Sequence, residues 1–308
     1  MALEHRFIET NGVRLHCAVA GAGPLVIFLH GFPECWYSWR HQLEALAPYF
    51  RVVAPDLRGY GDSDKPAGIA AYTMPHLIAD IEGLIQALGE HQTILVGHDW
   101  GGGLAWYFAT ERPTLTRQLV VMNCPHPAIF QQHLMTNRQQ LRQSWYLFFF
   151  QIPWLPETLL GLNHAWLIGK AIRQSAVQKS AITEADIAYL RDAASKPGAL
   201  HSGINYYRAV FRSPESLANL PDGVWRFVYG REPRPPARRT LEDWPQISAP
   251  TLVIWGEQDI ALDKALTLGM EPLFKAPFRV QYVPDSGHWV QQEKAQLVND
   301  ALLEFLAR

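Results

Sequence analysis

Residues 93–103 constrain this chain more than any other stretch. The apolar run Thr93-Ile94-Leu95-Val96 leads directly into Gly97-His98-Asp99-Trp100-Gly101, then Gly102, Gly103 and a helix-like segment at 104–111. A buried strand that ends in glycine, any residue, nucleophile, any residue, glycine and runs into a helix makes a sharp turn that presents its central side chain. The turn strains the backbone of that residue, and side chains on its neighbours would collide, so glycines flank it. The following helix aims the positive end of its dipole at the turn. A serine at the centre would attack acyl carbons. The carboxylate of Asp99 instead attacks an sp³ carbon by displacement and leaves an alkyl ester that water can open. The substrate is therefore expected to carry a strained or good leaving group on carbon. An epoxide or an alkyl halide fits, and an ordinary ester or amide does not.

The rest of the composition narrows the class. With 308 residues, the chain has room for one large α/β domain or a domain with an insertion. Its charged fraction is 18% and its net charge −2, with no basic run, which argues against a nucleic-acid partner. Cys17, Cys35 and Cys124 are too few and too scattered for a disulfide framework or a metal cluster and read as reduced thiols. No metal and no cofactor is expected. The first nine residues carry no apolar signal core, and the longest apolar stretch, 145–150, is far too short to span a bilayer. A cytoplasmic enzyme, monomeric or homodimeric, is the expectation.

Short apolar runs alternate with helical periodicity along the first 127 residues. Residues 6–10 and 13–19 read as a hairpin turning at Asn11-Gly12. The run 25–29 reads as a strand buried on both faces, with further strands at 51–54, 93–96 and 119–122. Helices are expected at 38–46 and 76–88. After Pro125-His126-Pro127 the pattern changes. From 128 to 244 there is helical periodicity and no convincing core strand, with a capping-box-like start at Thr183 to Asp186 and an irregular, basic, proline-rich loop at 231–239. Strands resume at 251–255 and 279–283, and a last helix spans 291–306. This alternation predicts an α/β fold, a mostly parallel central sheet flanked by helices. Residues 1–127 and 245–308 would form its core, and 128–244 a helical cap inserted between two strands. The stretch 214–243 gives no reading of its own.

A nucleophile elbow needs a base and a group that orients it, in chain order nucleophile, acid, histidine. The acid candidate is Asp259 in Trp255-Gly256-Glu257-Gln258-Asp259, with Glu257 and Asp263 as rivals. The base candidate is His288 in Gly287-His288-Trp289. Both follow strands, at the carboxyl ends where open parallel sheets bind ligands. His30-Gly31-Phe32-Pro33 follows the strand 25–29, where an oxyanion loop belongs. The backbone N–H groups of Phe32 and Trp100 would donate to the Asp99 oxygen that does not attack, and later to the oxyanion of the ester being hydrolysed. A cis Phe32-Pro33 bond would suit such a loop, since X–Pro bonds tolerate cis. Phe32, Pro33, Trp100 and Trp289 are expected to line the pocket.

Together these stretches resemble the epoxide hydrolases of the α/β-hydrolase superfamily. The matching segments are HGFPECWYSWRHQ (30–42), DLRGYGDSDKP (56–66), GHDWGG (97–102), NCPHP (123–127), WGEQD (255–259) and GHW (287–289). The resemblance implies an α/β-hydrolase fold with a cap and hydrolysis of a small apolar epoxide by water to a vicinal diol. It also implies two cap tyrosines that protonate the epoxide oxygen. SWYLFFFQIPWLPE (144–157) supplies Tyr146 at the matching place. In Asn205-Tyr206-Tyr207-Arg208 the family pattern of Asn, aromatic, Tyr, Arg selects Tyr207. Such phenols stay protonated at neutral pH and can donate to a leaving alkoxide. A haloalkane dehalogenase would use the same Asp-His-acid set but needs no tyrosine pair, and it typically has a halide-holding group where this chain has Phe32. A non-catalytic ligand receptor on a hydrolase scaffold would need none of the five reactive side chains.

Overall fold

The first hairpin closes at Asn11 and Gly12, whose φ of 45° and 73° are the positive values a two-residue hairpin turn demands. It joins β1 (Glu4–Thr10) to β2 (Val13–Ala20). The computed structural model describes residues 3–213, 226 and 241–307. Six further strands follow: β3 (Leu25–Leu29), β4 (Arg51–Pro55), β5 (Thr93–His98), β6 (Thr116–Met122), β7 (Thr251–Gly256) and β8 (Phe278–Val283). They form one sheet in the order β1-β2-β4-β3-β5-β6-β7-β8. The β1–β2 and β2–β4 pairs are antiparallel, and every pair from β4 to β8 is parallel.

Helices cover both faces, which is why the central strands read as unbroken apolar runs. On β3, Leu25, Ile27 and Leu29 face a core shared with α2 (Met74–Ala87) and α3 (Trp100–Glu111). Val26 and Phe28 face the opposite core, shared with α1 (Arg40–Leu46) and the C-terminal helix. That last helix departs from expectation. It is split at Lys294 (φ −129°, ψ 48°) from a short turn over Val290–Glu293. Glu293 lies in that turn, buried, and its carboxylate accepts the N–H groups of Gly287, Val177 and Gln178.

Between β6 and β7 the described residues hold helices and no strand: α4 (Pro127–Thr136), α5 (Arg138–Gln143), α6 (Trp145–Phe149), α7 (Leu155–Ser175), α8 (Glu184–Ser195) and α9 (Ala199–Phe211). The start of α8 is a full capping box: Thr183 Oγ1 accepts the Asp186 N–H, and the Asp186 carboxylate accepts the Thr183 N–H. Helix α7 breaks at Leu162–Ala165, where Asn163, His164 and Ala165 all have positive φ. Arg191 on α8 donates to the freed carbonyls of Asn163 and His164, so the break leaves these two buffered by a neighbour. The proline-rich loop expected at 231–239 lies outside the described residues.

Candidate active site

Strand β5 ends at His98, and the chain turns through Asp99 straight into α3. Asp99 sits at φ 50°, ψ −121°, a conformation that non-glycine residues rarely adopt. The turn is tight enough that a Cβ on Gly97 would lie 2.4 Å from the Gly101 carbonyl oxygen, and one on Gly101 would lie 2.0 Å from that of Leu29. No larger residue fits either position without moving backbone.

Four loops at the carboxyl ends of parallel strands, after β3, β5, β7 and β8, meet here. His288 Nδ1 lies 2.7 Å from Asp259 Oδ2, and His288 Nε2 lies 3.7 Å from Asp99 Oδ2. The other Asp99 oxygen, Oδ1, accepts the Phe32 N–H at 2.8 Å. The Phe32-Pro33 bond is cis. No hydrogen bond joins the Trp100 N–H to the Asp99 carboxylate among the described residues. Phe32 and Pro33 are both half-buried. The rivals of Asp259 are engaged elsewhere. Glu257 pairs with Lys264 at 3.0 Å, and Asp263 caps a short turn by accepting the Ala265 N–H.

The electrostatics follow from burial and charge together. Burial alone would lower the pKa of His288. The Asp259 carboxylate and its hydrogen bond, with Asp99 and Glu34 beyond, outweigh that and push it up to about 9. Burial would raise the pKa of Asp259, but the His288 charge, the hydrogen bond to it and the N–H of Ala261 hold it below the usual carboxylate value.

Facing Asp99 is an aromatic cluster of Phe32, Trp100, Tyr146, Phe150 and Tyr207, with Leu147 and Ile204. The Tyr146 and Tyr207 rings, from α6 and α9, meet at right angles with centroids 5.9 Å apart. Tyr207 also packs edge-to-face on Trp100 at 4.8 Å and on Phe32 at 5.5 Å. Burial first, and then the Asp99 charge, raise the pKa of both phenols, so both hydroxyls stay protonated and able to donate. The Trp289 ring packs edge-on against His288 and among Cys35, Ala165, Ile168 and Ile172. Its indole N–H finds a partner in Ser175 Oγ at 2.8 Å, and that bond turns it towards α7.

Sequence reasoning missed the second layer. Asn123, at the end of β6, donates to Asp259 Oδ2 at 2.9 Å and pins Gly256 from both sides. His98 bridges Glu34 and the His288 carbonyl, at 2.9 and 2.8 Å. Glu34 is fully buried; the His98 charge and hydrogen bonds from His98 and Ser38 overcome its desolvation and hold its pKa down at about 2. The one signal available was placement: all three lie in the matching motif stretches, at or after the carboxyl ends of strands.

The chain matches the family described as alpha/beta hydrolase fold over residues 24–295. It is 36% identical to epoxide hydrolase 3 of Xenopus tropicalis over 98% of this chain and 78% of that protein. It is 35% identical to epoxide hydrolase 4 of Mus musculus, over 97% of this chain and 78% of that one. The structure of a Bacillus megaterium epoxide hydrolase with an inhibitor superposes with a TM-score of 0.85 at 31% identity, covering 98% of this chain and 100% of that one. No described helix is long and apolar enough to cross a membrane. The chain belongs to the α/β-hydrolase fold family, among the epoxide hydrolases.

Proposed function

We propose that this protein hydrolyses small apolar epoxides to vicinal diols through a covalent ester on Asp99. Residues 128–244 would act as a cap over a core made of 1–127 and 245–308. The observation that carries the reading is a pair of protonated phenols, Tyr146 and Tyr207, packed together and close enough to Asp99 to feel its charge, with one oxygen of that carboxylate held by the Phe32 N–H. In the first step Asp99 Oδ2 attacks one epoxide carbon. The C–O bond breaks, and its electron pair goes to the oxygen, which takes a proton from a tyrosine. Two phenols aimed at one oxygen form an oxyanion hole for the leaving group.

In the second step a water gives a proton to His288 Nε2 and attacks the carboxyl carbon of the ester. The oxyanion is held by Phe32 N–H, joined by Trp100 N–H, since catalytic hydrogen bonds that are long in the resting enzyme tighten along the reaction. Collapse releases the diol and restores the Asp99 carboxylate, and the proton taken from water stays on His288, as in the resting site. The high pKa of His288 fits this order. In the resting enzyme Asp99 is one of the charges that raise it. Esterification removes that charge and lowers the pKa, so His288 passes its proton to the tyrosinate left by ring opening and is neutral when a base is needed.

Trapping tests the reading. His288→Gln is expected to alkylate and then stall, so that mass spectrometry finds protein plus the mass of an added epoxide such as styrene oxide. Normal turnover by that variant would remove His288 from the mechanism.

A further inference from the structure

The helix that carries Tyr146 is only five residues long. None of the five is fully buried, though Tyr146, Leu147 and Phe149 pack partly into the aromatic cluster, and a helix that short is marginal by itself. Its end is held from outside. The Phe150 N–H donates to the Tyr146 carbonyl at 2.9 Å, and the Phe150 carbonyl in turn accepts from Arg208 Nε at 2.9 Å. Arg208 Nη2 reaches the Ile152 carbonyl at 2.9 Å. One turn further along α9, Arg212 donates to the Gln151 carbonyl at 3.1 Å. Three successive carbonyls after α6 are therefore taken by one face of α9. Arg208 directly follows Tyr207, is only 4% exposed, and is paired on its other side with both oxygens of Glu157.

We propose that Arg208, braced by Glu157, is a positioning residue that sets the spacing and angle between Tyr146 and Tyr207, and so governs epoxide opening without touching the substrate. The inference rests on the function proposed above. A buried ion pair costs desolvation and is a poor device for stability alone, whereas a planar guanidinium fork fixes direction. The fork joins the two tyrosine segments, from the residue after Tyr207 to carbonyls four and six residues after Tyr146. Among the described residues no hydrogen bond or ion pair links it to Asp259 or His288, so ester hydrolysis should not depend on it.

Single-turnover kinetics with a UV-absorbing epoxide, trans-stilbene oxide, separate the steps: rapid quench and mass spectrometry follow ester formation and decay. Arg208→Gln and Glu157→Gln are expected to slow ester formation by tenfold or more, towards the ~10²-fold that a misplacement of about 1 Å can cost. Ester decay should stay within about twofold, since an interaction used only in epoxide opening lowers that step alone. Arg208→Lys, which keeps the charge but loses the fork, should fall between. If Arg208→Gln does not fold, Glu157→Gln and Arg208→Lys carry the test. Unchanged ester formation in folded variants would overturn the proposal, and so would a parallel fall of both steps with the melting temperature, the mark of a merely structural role. The Tyr146→Phe, Tyr207→Phe double variant is run beside them. If it is slow and the clamp variants are not, only the clamp fails; if it is also fast, the function proposed above fails.

Discussion

Asp99, Asp259 and His288 sit on three loops at the carboxyl ends of parallel strands, whereas Tyr146 and Tyr207 sit on two helices of the segment between β6 and β7. The two sides are held differently. Beneath the carboxylate, position comes from the sheet: a strained elbow with no room for side chains at Gly97 and Gly101, and buried partners such as Asn123 and His98 that bind loop backbone. Above it, position comes from helices that meet only in the folded protein and are tied by Arg208 to loop carbonyls. On this account the sheet side carries nucleophilic attack and ester hydrolysis, and the helical side carries protonation of the leaving group. The same enzyme should therefore be breakable one half at a time.

The largest separation is expected from the phenols. Tyr146→Phe or Tyr207→Phe should slow epoxide opening by up to roughly 10²–10³-fold, the cost of losing one oxyanion-hole donor, with partial rescue by the tyrosine that remains. The double variant should nearly abolish opening. Ester decay should be untouched in all three. A double variant that retains its rate would move the haloalkane dehalogenase reading ahead, because halide leaves without a proton.

A smaller effect is expected from pH, and it should fall on the sheet side. His288 titrates near 9 in the resting site, partly because Asp99 is charged. Esterification removes that charge, so ester decay should speed up with rising pH and level off below about 9, as the base loses its proton. Ester formation should vary little over the same range. The linkage to stability has a definite sign. A pKa raised from 6.5 to about 9 on folding gives stability that is complete below 6.5 and is lost as pH rises through about 9. His288→Gln should flatten that alkaline part of the melting-temperature profile, measured by calorimetry.

The smallest effect should touch neither step. Thr183→Ala removes the capping box of α8 and should cost ~1 kcal/mol in denaturant unfolding. Both single-turnover rates should stay as in the parent protein. A change in either rate would show that the helical segment transmits strain to the site, contrary to the separation drawn here.

Legibility in the sequence follows the same division. The parallel strands could be read because burial on both faces leaves continuous apolar runs, as at 25–29 and 93–96. The elbow could be read because its glycines are a steric necessity. What could not be read depends on contacts distant in sequence. Asp259 could not be told from Glu257 and Asp263, since all three are acids after one strand, and only their partners separate them. The breaks at Lys294 and at Asn163 to Ala165 leave a helical pattern in place and show only in the backbone. Trp289 turned on a bond to Ser175, 114 residues away. Arg208 read as part of a motif, and its grip on Phe150 and Ile152 needed the folded chain.

The covalent route is tested most directly by isotope labelling. In heavy-oxygen water, with enzyme in excess over epoxide, the first diol formed is expected to carry an ordinary oxygen taken from Asp99, because water attacks the carboxyl carbon of the ester. Heavy oxygen would then appear in the protein, on the peptide that contains Asp99. A first diol that carries heavy oxygen, with none in the protein, would mean that water attacks the epoxide itself, and would contradict a nucleophilic Asp99.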